Sequence, residues 1–340
     1  DLILTGARAL NKNGTGTLTL SGTGTNTFTG TTTVNAGTLM LAKASGTVGV
    51  NAIANGAVNV NNGGVLRYAA SSTNPDMVGT GTITMNGNGQ LDFNGASDSL
   101  GSVVISAPGA IVDTTNIVNT AGGGNLTVTA LTLTPAHGLV ARADTGTGTL
   151  TQGGNVTFNA ATTGRAQIGG NLVLSATRTL TVNTGIHPDY DLSIDAVVSG
   201  AAGAGITKAG GGILRLAGAN TFDGALTINN SSGSVILGHP QALGTPSTTR
   251  TVTVGTGDTL AFDGVDIADP SNRIKLSLNG TGNSRHGGVS GALLNLSGTN
   301  TVPCAITLAG NTQIAVPSAN GKLTLKGAFS GSYALTIAGA

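Results

Sequence analysis

The residues whose types and spacing could do chemistry are acidic, and they fall in two clusters. The first reads His187-Pro188-Asp189-Tyr190-Asp191-Leu192-Ser193-Ile194-Asp195. Read as a strand, it puts Asp189, Asp191 and Asp195 on one face, because successive side chains of a strand point to opposite faces. Carboxylates clustered in this way can bind calcium or divide general acid and base work between them. The same residues also read as a loop entering a strand with a solvated polar face. That second reading is favoured, because no basic partner for a substrate lies nearby in sequence. The other cluster is Asp258, Asp263, Asp266 and Asp269, within residues 257–270. It could bind calcium through carboxylates and turn carbonyls. It lacks the glycine-rich nonapeptide of calcium-binding β-rolls and the Asp-x-Asp-x-Asp-Gly loop with its closing Glu, so it reads as a hydrophilic turn.

Other catalytic material is thin, with 14 acidic residues and four histidines in 340 positions. His137, His239 and His286 sit beside Pro or Gly and read as solvent-facing. Cys304 is the single cysteine, so it cannot form an internal disulfide and reads as a small buried hydrophobe. There is no Gly-x-Ser-x-Gly elbow, phosphate loop or Cys-x-x-Cys pair, and no helix follows the many Gly-Thr-Gly tripeptides, which excludes a dinucleotide loop. A net charge of +1 and 3% aromatic residues leave neither a basic stripe nor stacking platforms, so nucleic acid is not an expected partner. The expectation is a protein that is not an enzyme and carries no cofactor, calcium being the one ion its acids could hold.

The elements that must position these residues are strands. Apolar residues never recur at helical spacing over three turns, whereas short alternating runs recur roughly every 8 to 12 residues between Gly and Asn punctuation. Residues 14–41 contain three such runs, carrying Leu18 and Leu20, then Phe28, then Val34, Leu39 and Leu41, with Asn26, Gly30 and Gly37 at the turns. The phrase returns from Gly210 with Leu214, Leu216, Asn220, Phe222 and Gly224, and more weakly over residues 287–308. Such self-similarity marks a repeat whose units bury their apolar faces only by stacking. Only 9% of residues are charged and 39% are hydrophobic, spread singly, which suits a thin continuous core. The expected fold is all-β with almost no helix: a single-stranded β-solenoid, that is, a right-handed parallel β-helix, running continuously over residues 1–340. Its clearest units are 14–41, 198–237 and 287–308. At about 20 to 30 residues per coil it makes roughly 11 to 17 coils. At about 4.8 Å per coil, the rod would be about 55 to 80 Å long. Asn26 and Asn220 are expected to form side-chain ladders between coils, as stacked Asn does in cross-β assemblies.

The phrase Leu-Thr-Leu-Ser-Gly-x-Asn-Thr-Phe-x-Gly followed by Thr-Thr-Val-Asn-x-Gly-Thr-Leu resembles the autotransporter-associated β-strand repeat. The first copy, Leu18 to Leu41, matches apart from an insertion around Thr23-Gly24-Thr25. The second, Lys208 to Ile228, also matches. The third departs, with Val302 in place of the aromatic residue and Pro303-Cys304 in place of the glycine turn. The resemblance implies a bacterial passenger-type β-solenoid, extracellular or on the cell surface. No run of 18 apolar residues is present, so no helical transmembrane segment is expected. The chain begins and ends in mid-phrase, without the caps that close solenoid edges, which leads to the expectation that it is part of a longer chain or of an end-to-end homo-assembly, in either case a stalk, fibre or surface-layer element. Two alternatives stay open. One is an adhesin presenting loops 71–76 or 263–272 to glycans or host protein. The other is a β-helix polysaccharide lyase or hydrolase acting through Asp189, Asp191 and Asp195.

Overall fold

The computed structural model describes residues 3–44, 49–70, 72–106, 110–112, 124–159, 163–187, 189–229, 232–319 and 321–339. Among them every regular element is a strand, paired in parallel, and the strands stack as a β-solenoid of about 12 turns. Leu10 lies beside Thr32, Thr32 beside Val58, Val58 beside Ile83 and Ile83 beside Val103, steps of 22, 26, 25 and 20 residues. The chain divides into two compact units, one of residues 1–156 with 166–173 and one of residues 157–165 with 174–340.

In the first unit, alternation becomes stacked columns. Val34, Val60, Met85 and Ile105 follow one another across coils, as do Leu39, Leu66, Leu91 and Ile111. All eight are 0% exposed. Burying each such side chain is worth about 1.5 to 3 kcal/mol, so the thin core is sustained by its length. Their neighbours Thr33, Asn59 and Thr84 face outward and are half-buried. Leu18 lies beside Leu39 in the same inward register, yet is 38% exposed, because among the described residues no strand covers its other side.

Repeat glycines mark where coils approach too closely for a side chain. A Cβ on Gly30 would lie 2.3 Å from the Arg8 backbone, and one on Gly224 would lie 2.3 Å from the Gly203 carbonyl. The repeat asparagines do something other than form ladders. Asn26 Oδ1 accepts from the Leu4 amide at 2.9 Å while its Nδ2 donates to the Ala52 carbonyl at 2.8 Å. In the second unit Asn220 repeats the pattern, accepting from the Val198 amide at 2.9 Å and donating to the Ala242 carbonyl at 2.8 Å. Both are buried, so the amide must satisfy its polar atoms on protein, and the backbones of the two adjacent coils supply the partners. A true Asn ladder forms elsewhere on the first unit. There Asn35 donates to Asn13, Asn61 to Asn35 and Asn86 to Asn61, at 2.8, 2.7 and 3.0 Å.

A lysine occupies the same place in both copies. Lys12 is in register with Val34 and donates to the carbonyls of Gly14 at 2.7 Å and Ala36 at 2.9 Å. Lys208 is fully buried and donates to the Gly210 carbonyl, two residues on, and burial brings its pKa down to about 8. Each ammonium thus closes the glycine turn that follows it.

One buried carboxylate of the first unit gives it a pH response. Asp98 accepts from the Tyr68 hydroxyl at 2.6 Å, the Val78 amide at 3.0 Å and the Ser99 amide at 2.7 Å. Burial outweighs these bonds and raises its pKa to about 6. A folded pKa above the unfolded value means stability that is full below about pH 4 and lost as pH rises through about 6, amounting to about 3 kcal/mol. Urea denaturation at pH 4 and pH 7 is expected to show this fall, and Asp98→Asn is expected to flatten it.

The third copy is shifted. Leu293 pairs with Leu260 and Asn295 with Phe262, so Asn295 takes the inward position that Leu216 holds in the second copy. A one-residue slip exchanges the two faces of a strand, and it turns Leu294 outward. Asn300 then donates to Asn295 and to the Ser297 carbonyl within its own turn, and no longer ties neighbouring coils. In the loop expected at 71–76, Thr73 and Pro75 are exposed while the backbone between them is tied down. Ser71 lies outside the described residues, and Asn74 is buried, donating to the Val50 carbonyl at 2.8 Å and the Lys43 carbonyl at 3.1 Å.

Candidate ligand-binding groove

On the second unit, three neighbouring strands abandon alternation. Ser234–Leu237, Thr259–Asp263 and Leu293–Ser297 carry consecutive buried residues, as strands covered on both faces do. Val235, Leu260 and Leu293 stack inward. Ile236, Ala261, Leu294 and Ala315 form a second column on the outside, against which Tyr190, Val289 and Leu296 pack.

The cover is residues 281–291, between strands Ile274–Gly280 and Leu293–Ser297. This segment runs back over the preceding coils as a strap. Asn283 receives a bond at Oδ1 from the Arg285 amide, donates through its own amide to Thr259 Oγ1 at 3.1 Å, and reaches the Gly233 carbonyl through Nδ2 at 2.9 Å. His286 Nε2 lies 2.9 Å from Ser234 Oγ. Arg285 reaches furthest, donating to the carbonyls of Gly211 at 2.7 Å and Gly185 at 2.9 Å, with Nη1 3.4 Å from the Asp191 carboxylate.

The first acidic cluster does not share a face, because the strand covers only Leu192–Ile194 and the turn ahead of it separates the acids. Asp191 is fully buried and accepts from the amides of Ile213 at 2.7 Å and Gly185 at 3.1 Å. Burial raises its pKa, against the opposing pull of those amides and Arg285. Asp189 is 71% exposed, and Asp195 lies on the outer face, accepting from Ser193 Oγ at 2.6 Å. Pro188 lies outside the described residues.

The second cluster is dispersed over different turns. Asp258 is buried and accepts from the Gly233 amide at 2.9 Å. Asp263 accepts from Ser297 Oγ at 2.9 Å, Asp266 from the Thr301 amide at 2.5 Å, and Asp269 from the amides of Arg273 and Ile274 at 2.9 and 2.8 Å. Among the described residues no three His, Cys, Asp or Glu side chains gather to hold a metal ion. His137 is exposed and His239 half-buried, its Nδ1 accepting from the Gln241 amide. His286, expected in solvent, is instead half-buried within the strap, and burial brings its pKa down to about 4. Cys304 is buried, with its thiol pushed up to about 12.

Beside the strap, Asp189, Tyr190, Arg215, Ile236, Asp263, His286, Gly287 and Leu296 enclose a groove of about 430 Å³. The strand Ile213–Leu216 supplies Arg215, whose guanidinium stands 3.8 Å from Asp195 and 4.0 Å from Asp263. Arg165 lies over the Tyr190 ring, 5.1 Å from its centroid, and holds that wall. Ile236 and Leu296 make an apolar floor. The groove therefore combines an apolar base, an aromatic wall and a rim of opposed hydrogen-bonding charges. Arg215, Arg285 and the strap are the parts that local sequence reading misses. The available signal was the unbroken apolar run Val235-Ile236-Leu237, which calls for a cover on the outer face.

Parallel coils in near-constant register, tied by buried Asn and Lys side chains, define a β-solenoid repeat protein. The model of the passenger-associated-transport-repeat family matches residues 10–41 and 206–230, the first two copies of the phrase. These matches and the solenoid fit a passenger repeat family of autotransporters. The comparisons with curated proteins and with solved structures return no match. Of the groove residues, Arg215 lies inside a matched repeat, whereas Tyr190, Asp263 and His286 lie outside both.

Proposed function

We propose that the chain is a non-enzymatic structural β-solenoid, a passenger-type stalk or fibre element exposed on the surface of a bacterium. The observation that carries this reading is the unbroken parallel pairing of coils within each unit. Load along such a stack falls on rows of backbone hydrogen bonds, reinforced by the buried Asn and Lys ties. A structure of this kind stays soluble with few charges because Thr and Asn cover its outward faces. An edge coil offers unpaired amides and carbonyls to a further parallel coil, supplied by the same polypeptide or by another copy. Leu335 and Ile337, 40% and 64% exposed on strand Leu335–Gly339, are side chains that such a coil would cover.

Sedimentation velocity of the purified chain at increasing concentration tests the stacking. Discrete multimers growing with concentration are expected. A single monomeric boundary throughout would overturn end-to-end assembly. The groove favours a second reading, a passenger that also displays a lateral binding site.

A further inference from the structure

We propose that the groove beside the strap is a saccharide-binding site, shaped for one or two rings of a neutral surface glycan. A pyranose has an apolar C–H face and a rim of hydroxyls, each both donor and acceptor. Its site therefore needs an apolar or aromatic wall and a rim of mixed polarity, and the groove has both. Tyr190 and Ile236 provide the wall and floor, while Asp189, Asp263 and Arg215 alternate acceptors with donors at the rim.

The distances are informative. Arg215 stands 3.8 and 4.0 Å from its two carboxylates, beyond hydrogen-bond reach. Its N–H groups are thus not committed to them, and a hydroxyl seated beside the pair, about 2.8 Å from each, can accept from Arg215 and donate to a carboxylate. Charge-assisted bonds of this type are roughly twice as strong as neutral ones. The balance of charge does not favour anions, because Asp189, Asp195 and Asp263 outnumber Arg215 and Arg165. His286, a strap residue whose Nε2 lies beside Ser234 Oγ, adds a neutral imidazole wall at pH 7. A volume of about 430 Å³ falls within the range of small-molecule sites, about 300 to 1,000 Å³.

The way the groove is built points the same way. Stacking alone does not require residues 281–291 to cross the outer face of earlier coils. The strap packs Val289 against the column of Ile236 and Leu294 and brings His286 to the groove that Arg215 also lines, and it lies outside both matched repeats. The groove is thus an addition to the solenoid and not a by-product of it.

The test is NMR titration of the purified chain with maltose, cellobiose, lactose and chitobiose as separate probes. At least one is expected to give saturable shifts at Tyr190, Ile236 and residues 284–287, with an affinity in the millimolar range, as about 4 kcal/mol provides. Arg215→Ala and Tyr190→Ala are expected to weaken that binding about tenfold or more. Thr227→Ala, on a different strand of the same unit, is expected to leave it unchanged. Asp263→Asn, at a 44% exposed side chain, keeps the fold testable should the other variants be unstable, and it is also expected to weaken binding. Absence of saturable shifts with all four sugars, or binding indifferent to Arg215→Ala and Asp263→Asn in folded protein, would overturn the site. The inference goes beyond the structural reading: multimers in sedimentation without sugar binding would sink the site alone, and sugar binding by a strict monomer would sink the stacking alone.

Discussion

Replacing Arg285 by Ala is expected to destabilise the second unit by about 3 kcal/mol, the lower end of the usual cost of removing one partner of a buried pair, because Lys208 and two backbone amides still act on Asp191. Asp191 is 0% exposed, and Arg285 is the one guanidinium within 4 Å of it among the described residues. The same side chain fixes the strap to the Gly211 and Gly185 carbonyls, 74 and 100 residues earlier in the chain. Its loss should therefore show in two ways. The urea midpoint should fall, and amide exchange should quicken across residues 281–291 as Ile236 and Leu294 become uncovered. The double variant Asp191→Asn/Arg285→Met should recover part of the stability, because it removes both charges together, although the strap stays loose. An unchanged midpoint in Arg285→Ala would mean that the strap contributes nothing to the fold.

The second large effect is expected at Asn220. Asn220→Ala removes two buried hydrogen bonds and strands the Val198 amide and the Ala242 carbonyl away from water. Unsatisfied buried groups cost about 1 to 3 kcal/mol each, so the loss from the two should be about 2 to 6 kcal/mol. Asn26→Ala should act alike on the first unit through Leu4 and Ala52. Asn61→Ala, in the solvent-facing ladder with Asn35 and Asn86, should cost less than about 1 kcal/mol, because water replaces the lost partners. Urea denaturation of the three variants decides the matter. Equal losses at Asn61 and Asn220 would show that the buried ties are not what holds successive coils together.

The fold was legible because its signals are local. Leu20, Phe28, Val34, Leu39, Leu214, Leu216 and Phe222 all lie in the core, and each sits in an alternating run whose period alone assigns its face. Repetition of the phrase then implied stacking. What sequence reading missed depends on the third dimension. Asn26 and Asn220 were recognised as repeat positions, but their partners are turn amides and carbonyls whose need for a bond appears only when coils are stacked. The slip in the third copy covers Leu293 to Asn295, and the irregularity between Phe262 and Asp263 that follows it skips Leu296 and sets Ser297 opposite Asp263, a pairing visible only once the strands are aligned. Asp191 sits two residues from Asp189 in sequence, but the turn ahead of Leu192 buries one and exposes the other. The groove was the least legible element, because His286 reaches it, and Arg285 anchors the strap beside it, from a loop that looks like ordinary Gly-Ser-rich punctuation. Only the doubly buried strands around Ile236 hinted that something lay over them.

The most direct test of the central claim is electron microscopy of the native material taken from the bacterial surface. Slender unbranched rods or fibres, with an axial repeat of about 4.8 Å between coils, are predicted for stacked parallel β-coils. Rounded particles without an axial repeat, or material found only inside the cell, would contradict the structural role.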